Sequence, residues 1–276
     1  MFKIFVASIF LVILFSGSSY GQSSTPVALN KHYFEIVPED SANHFYNMFV
    51  SYTKDSTRLE RILTLNNKVS RIVWIYPEKE KLHEMVVEQY NDYLELQWRS
   101  TTNLLNFKSF TLYYFNNEVV GQLFAESHEQ FYITRAGESK SRQKEFNDFE
   151  PRINGIKDRW PSFFKTFLDF DKRLLPEYIE EFYVAVLVNE QGVAEQIEWA
   201  NPMGGNPKIA DQYIRLIEKW GDNFSPALDP FGTPISKWLY VPFKVYGVGV
   251  VERDKKDVLE DWRDNWSTDW SVVNNH

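Results

Sequence analysis

Cysteine is missing from all 276 residues. Its absence excludes thiolate nucleophiles, disulfides, iron–sulfur ligation and every cysteine-based zinc site. Histidine is scarce. His32, His44, His83, His128 and His276 are the five present, and none has a second histidine three or four residues away. A helical metal pair is therefore ruled out. His83-Glu84 and His128-Glu129 start like a zinc-protease motif without its second histidine, and they read as surface or structural positions. Positive charge is in deficit, with 30 basic against 38 acidic residues and a formal net charge of −8. That balance suits neither nucleic acid nor an anionic membrane surface. A phosphate-cradling loop is lacking as well: Gly204-Gly205 precedes a helical pattern, but no Lys-Ser/Thr follows. The one G-x-S-x-G match, Gly17 to Gly21, precedes no helix and carries no hydrolase signal. No cofactor and no metal are expected.

Long apolar runs are lacking beyond the first 21 residues. Lys3, the apolar stretch Ile4 to Phe15 and the small-residue end Ser16 to Gly21 follow the secretory-leader pattern. Twelve apolar residues fall short of the roughly 20 that span a bilayer. Cleavage after Gly21 is the expectation, which would place the protein in the periplasm of a Gram-negative envelope. The alternative is an uncleaved inner-membrane anchor.

What is present is aromatic and β-branched. Hydrophobic residues make up 43% of the chain and aromatic residues 17%, enough for a sizeable core and in favour of strands. Residues 22–30 are polar and read as loose. Residues 22–136 read as a β-rich antiparallel domain, with strands expected at Phe45–Tyr52, Leu59–Leu65, Val69–Tyr76, Tyr93–Arg99, Phe107–Phe115, Val119–Phe124 and Gln130–Thr134. Asn66-Asn67 and Asn116-Asn117 each separate two apolar runs and signal hairpins. The second hairpin resembles a degraded MORN-type strand-turn-strand repeat in which Gly would stand at Asn117. Two instances do not define a repeat array, and a meandering sheet is the reading kept. Residues 137–159 are charged and apolar-poor, and they read as a linker.

After Arg159 the period becomes helical. Trp160, Phe163, Phe164, Phe167 and Leu168 form one stripe, and Pro176 stops it. Phe182 to Val188 is an apolar strand, Asn189 to Gly192 a turn, and Val193 to Trp199 a returning strand. Asn206 caps and Pro207 opens a second helix, with Ile209, Tyr213, Ile214, Ile217 and Trp220 as its buried face. Trp238 to Val245 is then a strand with Pro242 inside it. Proline cannot donate to a ladder, so this strand is expected at a sheet edge, where another chain can add itself. In the acidic tail, residues 248–276, Trp262, Trp266 and Trp270 form a stripe if helical. The stripe suits packing back on the protein or docking a partner.

Residues 160–247 resemble the C-terminal domain of TonB-type energy transducers. FFKTFLDFDKRLLPEY (163–178), EEFYVAVLVNEQGVAEQIEW (180–199), NPKIADQYIRLIEKW (206–220), FSPA (224–227), GTP (232–234) and VPFKV (241–245) carry the resemblance in order and spacing. Leu175 stands where the family often has Tyr, and Glu181 stands near a usual Gly. The resemblance implies an α+β fold: a three-stranded antiparallel sheet with two helices behind the β-rich N-terminal domain. It also implies a non-catalytic role in TonB-dependent transmembrane transport, binding an outer-membrane transporter segment or other envelope protein by edge-strand pairing. The partner-binding residues so implied are Trp238, Leu239, Tyr240, Val241, Pro242 and Phe243, with Trp238, Tyr240 and Phe243 supplying side-chain surface. Two alternatives stay open. One is a membrane-anchored transducer. The other is an envelope hydrolase working through carboxylates such as Glu180-Glu181 or Glu195 with Glu198.

Overall fold

The computed structural model describes residues 25–37, 39–79, 82–157, 159–168, 172–176, 180–220 and 224–245. The expected leader (1–21) and the Trp-striped tail (248–276) lie outside them. Ten strands form one antiparallel sheet. They are β1 (Val27–Leu29), β2 (Tyr46–Tyr52), β3 (Arg58–Thr64), β4 (Val69–Ile75), β5 (Glu84–Tyr90), β6 (Leu96–Asn103), β7 (Ser109–Phe115), β8 (Glu118–Ser127), β9 (Gln130–Thr134) and β10 (Arg142–Lys144). Each strand bonds to the next in sequence, so the sheet is a pure meander. Its turns use the expected chemistry. Asn67 sits at φ 60 after β3, and Asn116 and Asn117 sit at φ 50 and 63 in the two-residue turn between β7 and β8. Paired positive φ values are what a two-residue hairpin needs to match the twist of its strands, and Asn tolerates them. The sheet's apolar clusters are thin: Val73, Met85 and Val87 in one, Leu123, Ile133 and Phe149 in another.

A second, smaller sheet follows. Its strands are β12 (Glu180–Val188), β13 (Ala194–Trp199) and β17 (Lys237–Val245), in the order β13-β12-β17. Two helices lie on one of its faces, α1 (Arg159–Phe167) and α2 (Pro207–Trp220). Phe182, Val184, Val186 and Val188 of β12 meet Leu239, Val241, Phe243 and Val245 of β17 there, against Trp160, Phe164, Ile209, Tyr213 and Ile217. All are buried, and each such side chain contributes about 1.5–3 kcal/mol on leaving water. Asn206 Oδ1 accepts the backbone N–H of Lys208, and Pro207 takes the first helical position, so α2 starts where its cap dictates. In the hairpin from β12 to β13, Gly192 has φ 80, and a Cβ there would lie 2.6 Å from the Phe224 carbonyl oxygen. Both the positive φ and the close approach require glycine.

Several expectations are corrected. The α+β class gives way to a mostly β molecule, with seventeen strands and two α-helices among the described residues. The helices are only nine and fourteen residues long, while nearly everything before Arg159 is sheet. The segment 137–159 is not a plain linker. β10 widens the large sheet, and β11 (Arg152–Ile153) pairs with β14 (Phe224–Ser225), just before the short hairpin of β15 (Ala227–Leu228) and β16 (Pro234–Ile235). Phe149 from this segment stacks on Tyr113 with centroids 4.1 Å apart. Residues 22–30 are not wholly loose, because β1 pairs with β2 and Asn30 is buried. The expected strand Tyr93–Arg99 starts later, at Leu96, after Leu94 turns with φ 64. In α1, Phe167 is exposed rather than part of the buried stripe.

Candidate functional site

β17 is built by alternation. Its nine residues pair with all nine of β12 in unbroken register, from Lys237 opposite Val188 to Val245 opposite Glu180. Pro242 faces Tyr183 within that ladder without shifting it. A residue with no N–H fits a continuous ladder where its nitrogen points away from the partner strand. Tyr240 and Trp238 share its orientation, two and four residues back, so their backbone groups point to the outer side. β17 is the last strand of its sheet among the described residues.

The predicted partner-binding residues divide into two sets. Leu239, Val241 and Phe243 are buried in the helix-covered core, so Phe243 offers no surface to a partner, contrary to expectation. Trp238, Tyr240 and Pro242 lie on the opposite face. There the segment Asn30–Phe34 covers Trp238 and Tyr240. Asn30 Nδ2 donates to the Ala200 carbonyl at 2.7 Å, and Asn30 Oδ1 accepts the backbone N–H groups of His32 and Phe34. The His32 ring lies edge-on to Trp238, with centroids 4.7 Å apart. Its Nε2 meets Glu198 Oε1 at 2.8 Å and its Nδ1 meets the Tyr240 hydroxyl at 3.1 Å. Lys31 also pairs with Glu198 at 2.6 Å. Burial lowers the His32 pKa, opposed by the Glu198 hydrogen bond, and burial raises that of Tyr240. The sequence treated His32 as surface or structural, and its position is structural. It fastens the start of the large sheet to the small one.

Beside this contact is a cavity of about 370 Å³ between the face of the large sheet and the start of β17. Arg71, Gln89, Trp98 and Tyr113 lie directly opposite one another across β4, β5, β6 and β7, forming one row on one face. All four line the cavity, with Trp238 and Tyr240 on the far wall. Arg71 is only 7% exposed, with its guanidinium 4.0 Å from the Tyr33 ring centroid and its Nε donating to Gln89 Oε1 at 2.9 Å. Sequence reading missed this row. Its members sit on four different strands, and only the register joins them.

No family model, no curated protein and no solved structure matches the chain. The carboxylates considered for hydrolysis do not face one another. Glu198 is held by His32 and Lys31, Glu195 accepts from Asn189, and Glu181 accepts from Tyr183. Among the described residues no group of three or more His, Asp or Glu is placed to hold a metal ion. No helix among them is long and apolar enough to cross a membrane.

Proposed function

We propose that this is a non-catalytic binding protein of the cell envelope. It takes an extended segment of an outer-membrane transporter or another envelope protein as an added strand beside β17. The observation that carries this reading is the sheet order β13-β12-β17, with β17 bonded to β12 along nine residues and last in its sheet among the described residues. An added strand gains affinity from main-chain hydrogen bonds. Both sides of β17 pack against protein, so its backbone is held extended before a partner arrives and little ordering entropy remains to be lost. With Phe243 in the core and Trp238 turned towards His32, the contact is mainly one of backbone. Selectivity then comes from the partner's own extended conformation.

The test is retention of a transporter from solubilised outer membranes by the immobilised full-length chain. Release by a synthetic peptide of that transporter's periplasmic N-terminal segment is also expected. Amide hydrogen exchange at Trp238 should slow when the peptide is added. If the peptide binds while exchange along β17 stays unchanged, the strand-addition reading is wrong.

A further inference from the structure

The cavity holds a charge that its surroundings leave uncompensated. Four lining side chains are Arg, Lys or Glu: Arg71, Glu126, Glu150 and Lys237. Glu150 and Lys237 pair with each other at 2.6 Å, and Glu126 pairs with Lys108. Arg71 has no carboxylate partner among the described residues, although it is more than nine-tenths buried. Its Nε is used by Gln89 and its face by Tyr33, with the Trp98 ring centroid 5.8 Å away. A buried cation without a counter-ion is costly, and a ligand anion is one way to offset it. A guanidinium presents paired donors whose spacing matches a carboxylate.

The remaining lining narrows the ligand. The two acidic side chains on the wall disfavour a dianion such as a phosphate monoester. Asn106, Ser109 and Thr111 put amide and hydroxyl groups in the same lining as Trp98, Tyr113 and Trp238, while the Gln89 amide is taken up by Arg71, Tyr33 and Ser70. Aromatic faces cover the apolar C–H side of a sugar ring, while amides and hydroxyls take its hydroxyl groups. The cavity's 370 Å³ equals about a dozen waters, which is room for one or two such rings. We infer that the cavity binds an acidic sugar, with Arg71 holding its carboxylate and Trp98 and Tyr113 its ring. This site uses side chains on the inner face, not the outer edge of β17. It therefore stands or falls separately from strand addition.

The test uses the full-length chain and titrates sodium galacturonate and sodium glucuronate, following tryptophan fluorescence and heat. Galactose, glucose, acetate and N-acetyl-alanyl-alanine are the comparators. At least one uronate should saturate, binding roughly ten- to a hundredfold more tightly than its neutral sugar, as expected for a charge-assisted pair. Arg71→Gln should remove that preference, and Arg71→Lys should weaken it. Arg71→Gln can perturb the sheet, so Ser109→Leu, which narrows the cavity at a half-buried position, serves as the second variant. It should abolish uronate binding while the thermal midpoint stays near that of the parent. The inference is overturned by no saturation with either uronate, or by neutral sugars binding equally well. Uronate binding that survives both Arg71→Gln and Ser109→Leu also overturns it. Tighter binding of the acetylated dipeptide would replace the sugar with a peptide terminus.

Discussion

The two sheets are held in different ways. The ten-stranded sheet joins each strand to its sequence neighbour, and its apolar clusters are small. Several of its aromatic side chains, including Tyr52, Phe110 and Phe115, stay exposed. The three-stranded sheet joins β12 to β17 across an intervening helix and hairpin, and both its faces are covered. Local ladders form easily and tolerate change, because each contact depends on few others. A non-local core gains most of its stability at once and loses it in the same way. The difference places rigidity under β17, where the proposed partner contact lies, and leaves the large sheet free to present a row of polar and aromatic side chains.

The contrast breaks most sharply at the core. Phe243→Ala should cost about 3–5 kcal/mol, since the ring touches Phe164, Phe182 and Tyr213 and has no route for collapse. Met85→Ala in the large sheet should cost nearer 2 kcal/mol, the low end for that change, because its cluster is thin. Urea unfolding followed by tryptophan fluorescence compares them. Equal losses would mean that the two regions are not built differently. Gly192→Ala comes next, at about 1–3 kcal/mol, from the positive φ and the contact with the Phe224 oxygen. A loss below that range would show that the hairpin can shift away from Phe224.

The join between the sheets has its own signature in pH. Burial lowers the folded-state pKa of His32 from 6.5, with Glu198 and Lys31 the charged groups beside it. As pH falls through 6.5 the unfolded chain takes up a proton before the folded one does. The contribution of His32 is therefore complete above 6.5 and shrinks as pH drops towards the folded value. The thermal midpoint should fall between pH 7.5 and 5.5, and His32→Gln should flatten that fall. An equally steep fall in the variant would assign the effect to other groups.

How much of this was legible beforehand follows from what each signal depends on. β12 was readable as a buried strand because FYVAVLV is apolar on both faces, and α2 because its stripe and cap are local. Pro242 pointed to an edge, and β17 does end its sheet among the described residues. β5 was missed, since EMVVEQY sits between weak turn signals, and β10 and β11 were hidden in a charged stretch. Phe149 is a lone apolar residue there, and nothing local says that it stacks on Tyr113. The Arg71 row was invisible for the same reason. Cross-strand neighbours are fixed by register, and register emerges only when the whole meander is laid out. The α+β assignment erred by giving weight to two helices and too little to the run of strands that precedes them.

The smallest effect tests whether the meander is as local as described. Asn117 holds φ 63 in the turn from β7 to β8, behind Asn116 at φ 50. Asn-Gly is the favoured pair for such a turn, because glycine reaches positive φ without steric cost. Asn117→Gly should therefore leave the fold intact and raise stability by up to ~1 kcal/mol, lessened by the extra freedom glycine gives the unfolded chain. The gain should appear as slower hydrogen exchange at β7 and β8 alone, with β12 and β17 unchanged. Slowing that spreads to β17 would mean that the two sheets unfold as one unit, with the His32 contact coupling them far more tightly than a local meander allows.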